Sequence, residues 1–150
     1  MRGESDLIKL YSGRILALAA AIPHTERLAG PVATAHRRSP VCGSAVTVDL
    51  VICDGRIESF GQDVKACALG QAAASVLGAH VIGRSLAEIT VARDQLAAML
   101  KSDGPAPDAP FEELEVLMPA RAYPNRHASI LLAMEATIAA LNVAPNTACA

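Results

Sequence analysis

Between Ala45 and Ile52 the chain alternates: Val46, Val48, Leu50 and Ile52 fall on one side, Thr47 and Asp49 on the other. A period of two built on β-branched residues marks a half-buried strand. Asp54-Gly55 follows at once and supplies a tight hairpin turn, because glycine tolerates the positive φ that a primed turn demands. The return strand, Arg56 to Val64, is less regular. Ile57 and Phe60 are out of phase, which predicts a bulge. A hairpin with one apolar face must be covered, so the remaining chain has to supply that cover.

Helical patterns supply it. Residues 5–20 read as a first helix, with Ser5 as a weak N-cap and Leu7, Leu10, Tyr11, Ile15 and Leu18 at roughly helical spacing. Residues 21–41 hold Pro23, Gly30, Pro31 and Pro40 and read as loop, with one short strand near Val32–His36. Cys67 opens a small-residue stretch expected to form a buried helix ending near Gly78. Ser85 with Glu88 makes a capping box for a helix through about Leu100. Residues 104–110 form a turn-rich linker, and Phe111 to Leu117 are expected as a short helix. Pro124 precedes a last helix from Asn125 or Arg126 to Leu141. The expected fold is a single α+β domain over residues 1–150: a small antiparallel sheet of about three strands packed against helices. Its core spans about 6–141, and 142–150 form a frayed tail.

Composition narrows the function. Of 150 residues, 52% are hydrophobic and 19% charged, which argues against disorder. Aromatics are 3% with no Trp, leaving little on which to stack bases, and a net charge of −2 gives no general pull toward nucleic acid or anionic lipid. His36-Arg37-Arg38 is the only basic cluster, and three residues are too few to make a binding surface. The longest apolar run, Ile15 to Ile22, falls far short of the ~20 residues that span a bilayer. Lys9, Arg14 and Ala19-Ala20-Ala21 resemble parts of a secretory signal, but Glu4 and Asp6 put negative charge where a positive region belongs, so the run is read as part of the first helix. No membrane and no nucleic-acid partner is expected.

Four cysteines are too few for a disulfide scaffold. A reducing, cytoplasmic setting is therefore expected, in which a conspicuous cysteine serves as metal ligand or reactive thiol. There is no CxxC, HExxH, GxSxG or P-loop, so standard zinc, hydrolase and nucleotide readings lack support. Cys42 lies in the turn entering the long strand, in Pro40-Val41-Cys42-Gly43-Ser44. Cys67 lies where the return strand ends and a helix begins, two residues after Lys65. A thiol at a helix N-terminus faces unpaired N–H groups and the positive end of the helix dipole, which favours the thiolate. The alternative for either residue alone is a small core hydrophobe.

Taken together, these segments resemble the U-type iron–sulfur scaffold family: the NifU N-terminal domain, IscU and SufU. Asp54-Gly55-Arg56-Ile57 and Cys67-Ala68-Leu69-Gly70-Gln71-Ala72-Ala73-Ala74-Ser75 are similar to its hairpin and second-cysteine helix. Pro40-Val41-Cys42-Gly43-Ser44 matches its Pro-x-Cys-Gly-Asp motif except at the last position. Leu10-Tyr11-x-x-x-Ile15 resembles its first helix, and Tyr123 to Ala133 its segment around the third cysteine. The likeness runs over residues 6–141 and implies a SufE/NifU-like fold.

The resemblance implies a scaffold on which an iron–sulfur cluster is transiently assembled, or zinc is bound, with a cysteine desulfurase and iron–sulfur acceptor proteins as partners. The implied ligands are Cys42 and Cys67 together with whatever occupies the aspartate and third-cysteine positions. Ser44 stands at the first of these. Ser129 stands at the second in an ungapped match, and a two-residue shift would bring His127 there. A serine hydroxyl is a poor ligand beside a thiolate or carboxylate, so iron, cluster or zinc is expected to bind weakly if at all. Two other readings stay open: a persulfide carrier using Cys67 or Cys42 as sulfur acceptor, and a metal-free interaction module that kept the fold. Enzymatic activity beyond sulfur transfer is not expected. Cys53 and Cys149 match no ligand position, nor do His24, His36 and His80.

Overall fold

The protein is described by a computed structural model covering residues 12–30, 33–40 and 43–144. Three strands, β1 (Ala33–Arg38), β2 (Ala45–Cys53) and β3 (Arg56–Lys65), form one antiparallel sheet in the order β1-β2-β3. Among the described residues four α-helices accompany it: α1 (Gly13–Ala20), α2 (Ala68–His80), α3 (Leu86–Lys101) and α4 (His127–Val143). The α+β class and the antiparallel hairpin follow the sequence reading. No described helix is long and apolar enough to cross a membrane.

The alternation in β2 does what its period dictates. Val46, Val48, Leu50 and Ile52 are all buried, facing α4, which packs across β1 and β2. Asp54 and Gly55 both take positive φ, 53° and 76°, as a two-residue hairpin with right-handed strand twist requires. The expected bulge is present. Val51 pairs with Ser59 but Ile52 with Ile57, so Glu58 is the extra residue, and the slip returns both Ile57 and Phe60 to the interior.

Helix α4 is apolar nearly all round. Ile130, Leu131, Leu132, Ala133, Met134, Ala136 and Ala140 are buried, and α2, α3 and the sheet all pack on it. A helix without a polar face belongs at the centre, and α4 is that centre. Ser85 and Glu88 close a reciprocal capping box at the start of α3. The helix expected over residues 5–20 begins at Gly13 among the described residues, where Ser12 is its N-cap and accepts from Ile15 N–H; Ser5 lies outside the described residues.

Two segments differ from expectation. The short helix expected at Phe111–Leu117 is a longer 3₁₀ segment, Glu112–Ala122. Pro119 lies inside it, and a proline there removes an N–H and crowds the preceding turn of an α-helix. Residues 21–29, read as plain loop, form a strap around β3. Gln62 N–H donates to the His24 carbonyl (2.8 Å), and a Cβ at Gly61 would run into the Glu26 carbonyl, so glycine is what lets the strap cross there. On the far side the strap meets Asp49. That carboxylate has no solvent exposure and accepts from Arg27 Nε (2.6 Å), Arg27 Nη2 (3.0 Å), Leu28 N–H (3.1 Å) and Thr34 Oγ1 (2.6 Å). The Arg27 bond, helped by Thr34 and Leu28, holds Asp49 below the usual carboxylate range against the opposing effect of burial.

Candidate functional site

At one end of the sheet, three chain segments meet. Between β1 and β2 the chain turns through Ser39–Ser44. Ser39 N–H donates to the Ser44 carbonyl (2.8 Å), Gly43 N–H returns to the Ser39 carbonyl (2.9 Å), and Gly43 has φ 74°, open to glycine at little cost. Ser44 emerges from this turn buried, 4% exposed, with its hydroxyl toward α4.

Cys67 is the N-cap residue of α2, with φ −68° and ψ 170°. Its carbonyl accepts from Gln71 N–H, but its side chain makes no capping bond, in keeping with the poor acceptor strength of sulfur. The thiol turns to α4 instead, where Ser129 Oγ lies 3.6 Å from Sγ. Ser129, 1% exposed, also shares a hydrogen bond with Ser44 Oγ at 3.0 Å. Ser129 therefore joins the residue two places after Cys42 to the thiol of Cys67. Gly70 permits the approach of α2 and α4. A Cβ there would stand 2.7 Å from Ser129 Oγ and 3.0 Å from its carbonyl oxygen.

His127 does not share this arrangement. It is buried, and its Nε2–H donates to the Ala120 carbonyl at 2.9 Å, so that nitrogen's lone pair is not offered to a ligand. Residues two apart on a helix do not face each other, so His127 and Ser129 look different ways. Cys42 and Cys149 lie outside the described residues. Cys53, which matches no ligand position, ends β2 and is disulfide-bonded, whereas the reducing setting expected from the cysteine count implies no bridge. Cys67, half-buried, is a free thiol. Among the described residues no group of three or more His, Cys, Asp or Glu side chains is placed to hold a metal ion. The described donors at this end are thus one sulfur and two hydroxyls.

Sequence reasoning missed Gly70, although an isolated glycine inside a helical pattern is a usual sign of close packing. It noted Lys65 near Cys67 and the Arg37-Arg38 pair but did not bring them together with Lys101, because these residues are scattered through the chain.

No family model matches the chain, and no curated protein matches it. Solved structures do. The crystal structure of a nitrogen-fixing NifU-like protein (N-terminal) from Brucella abortus is 42% identical, covering 91% of this chain and 95% of that one, with a TM-score of 0.88. A candidate iron–sulfur cluster assembly scaffold protein for the SUF system, from thermophilic Fervidobacterium islandicum AW-1, shares the fold at 18% identity. It covers 89% of this chain and 98% of that one, with a TM-score of 0.79.

Proposed function

The chain belongs to the NifU-like family of U-type scaffold proteins, and from that premise we propose that it assembles or carries iron–sulfur cargo at the end of the sheet where Cys67, Ser129 and Ser44 meet. The observation that carries this reading is the chain of contacts Ser44–Ser129–Cys67, with links of 3.0 and 3.6 Å. Three of the five residues expected from the family likeness touch, although two of them have lost their metal-binding chemistry.

Cys67 supplies a thiolate to iron or to zinc, and Cys42, two residues before Ser44, is its intended companion. The two hydroxyls are better suited to donating hydrogen bonds to anionic sulfur than to replacing a ligand, since a serine hydroxyl stays protonated near neutral pH. With two thiolates in place of three plus a carboxylate, the cargo is held weakly and handed on readily. A cysteine desulfurase as sulfur source and an iron–sulfur acceptor protein as recipient complete the reading.

Anaerobic reconstitution with iron and sulfide tests it. The expected product shows charge-transfer absorption, and Cys67→Ala or Cys42→Ala abolishes it. A colourless, iron-free product from the unaltered chain overturns the proposal.

A second reading rests on the free, half-buried Cys67 thiol. Its thiolate attacks the outer sulfur of a desulfurase persulfide, the S–S bond breaks, and the desulfurase thiolate leaves, so Cys67 ends as the persulfide. Mass spectrometry after incubation with desulfurase and cysteine then shows an added mass of about 32 Da, one sulfur, on Cys67. A gain with no stable chromophore selects the carrier over the cluster scaffold.

A further inference from the structure

The cations of this protein are sorted by position. Six described arginines are matched to a carboxylate: Arg14 with Glu113, Arg27 with Asp49, Arg56 and Arg84 with Glu88, Arg93 with Glu135, and Arg121 with Asp103. Five described cations have no carboxylate partner among the described residues: Arg37, Arg38, Lys65, Lys101 and Arg126. All five lie around the end of the sheet that holds Cys67. Arg38 and Lys65 flank Ala45 in one row across the three strands, and Ala45 follows Ser44. Arg126 is the residue before α4, three places ahead of Ser129.

Beside this cluster runs a groove of about 300 Å³ between the end of β1, the end of α3 and the first half of α4. Arg37, Arg38 and Lys101 stand along it, and Ala128, Leu131 and Leu132 contribute to its lining. Arg37, Arg38 and Lys101 are exposed. The acidic residue in the lining, Glu135, is already held by both its oxygens on Arg93 Nη1, at 3.0 and 2.9 Å. Asp63, two residues before Lys65 on β3, and Asp103, two residues after Lys101 and paired with Arg121, are further carboxylates near these cations. The groove thus keeps positive charge at its rim, and in its wall the exposed Ala128 beside the small uncovered edges of the otherwise buried Leu131 and Leu132. A free inorganic anion would have no use for the leucines. A segment that carries both carboxylates and apolar side chains matches both features.

We propose that the groove between β1, α3 and α4 is a docking site for an acidic, leucine-bearing segment of a partner protein, recognised by Arg37, Arg38 and Lys101 at the rim and Leu131 and Leu132 in the wall. Ala128 in the wall is the residue before Ser129, whose hydroxyl contacts the Cys67 thiol. The inference goes beyond the cluster reading and does not depend on it, since docking requires neither metal nor Cys67.

The test is fluorescence anisotropy with a labelled peptide repeating Glu-Glu-Leu, using the full chain. Binding is expected at low salt and weakens as salt screens the charges. The Arg37→Glu/Arg38→Glu variant and Lys101→Glu are each expected to weaken binding by about tenfold or more. Arg14→Glu, which makes the same charge change outside the groove, leaves it unaltered. Backbone amide signals of Ala128, Leu131 and Leu132 shift on titration. A peptide repeating Glu-Glu-Ser binds more weakly. The substituted side chains are exposed, so the fold is retained, which unchanged circular dichroism verifies. Absence of binding overturns the proposal, as does equal binding of the serine peptide or indifference to the groove charges. Binding to anionic phospholipid vesicles in place of the peptide also overturns it, making the end a membrane surface.

Discussion

Two buried polar clusters stand on β2 and its neighbours, and they are built in opposite ways. Asp49 is an ionised carboxylate that accepts four hydrogen bonds, two of them from a guanidinium. Four bonds use the whole acceptor capacity of a carboxylate. At the end of the strand, the two hydroxyls of Ser44 and Ser129 and the sulfur of Cys67 are joined at 3.0 and 3.6 Å with no ion pair among them. The first cluster has nothing left to offer a ligand. The second can redirect its hydroxyl protons toward an anionic sulfur without breaking an ion pair. Charge saturation fixes the strap to the sheet; hydroxyls free of any ion pair leave the site adaptable.

The comparison breaks most easily at Asp49. Asp49→Ala removes four bonds and frees the strap, and is expected to cost about 3–5 kcal/mol, read from urea unfolding. The same substitution should leave alkylation of Cys67 by iodoacetamide close to unaltered in the folded protein. A loss under ~1 kcal/mol would mean that the carboxylate does not hold the strap.

Acid provides the next test. Because Asp49 has its carboxyl group depressed in the folded state, chiefly by Arg27, its contribution to stability is present above the unfolded value of about 3.9 and is lost as pH falls toward the folded value. Unfolding midpoints should therefore drop steeply below about pH 4, and Asp49→Asn should flatten that part of the curve. Glu88, lowered first by its bond from Ser85 N–H, adds a smaller effect of the same sign, from a more exposed position. An Asp49→Asn curve parallel to that of the parent would remove Asp49 from the acid transition.

The contrast between the clusters also explains what could be read from the sequence. The strands, hairpin and capping box are legible because each depends on neighbours within a few residues: Val46 to Ile52 by alternation, Asp54-Gly55 by backbone freedom, Ser85 by Glu88. The position of Cys67 at the start of α2 is legible for the same reason. Asp49 reads as solvent-facing because its partner Arg27 is 22 residues away in a proline-containing loop without periodicity. His127 and Ser129 are both plausible from alignment. Only the three-dimensional path of residues 112–126, which carries the Ala120 carbonyl to the imidazole, separates them. The five cations around this end could not be joined from the sequence, since Arg37-Arg38, Lys65, Lys101 and Arg126 come from four separate segments.

Gly70 sharpens the comparison from the packing side. Gly70→Ala gains intrinsic helix propensity but inserts a methyl carbon 2.7 Å from Ser129 Oγ, so α2 and α4 must separate. A net loss of about 1–3 kcal/mol is expected, together with faster alkylation of Cys67 as Ser129 withdraws. A stabilised variant would show that the two helices can part without strain.

The smallest expected change in stability, and the most informative for function, is at Ser129. Ser129→Cys replaces oxygen with sulfur at a fully packed position, and its larger radius and weaker hydrogen bonding are expected to cost about 1 kcal/mol or less. Its gain is chemical. A second sulfur next to Cys67, and a third once Cys42 is included, turns hydroxyl solvation of the cargo into direct ligation. Zinc retained after gel filtration under anaerobic conditions should then rise well above that of the parent, and adding Ser44→Asp should raise it further by restoring an anionic donor. The order matters: thiolate first, carboxylate second, because soft sulfur contributes more to a zinc site than hard oxygen. If neither variant retains more zinc than the parent, the Ser44–Ser129–Cys67 cluster is only packing between α2, α4 and the β1–β2 turn, and the low capacity of the parent cannot be laid to its two serines.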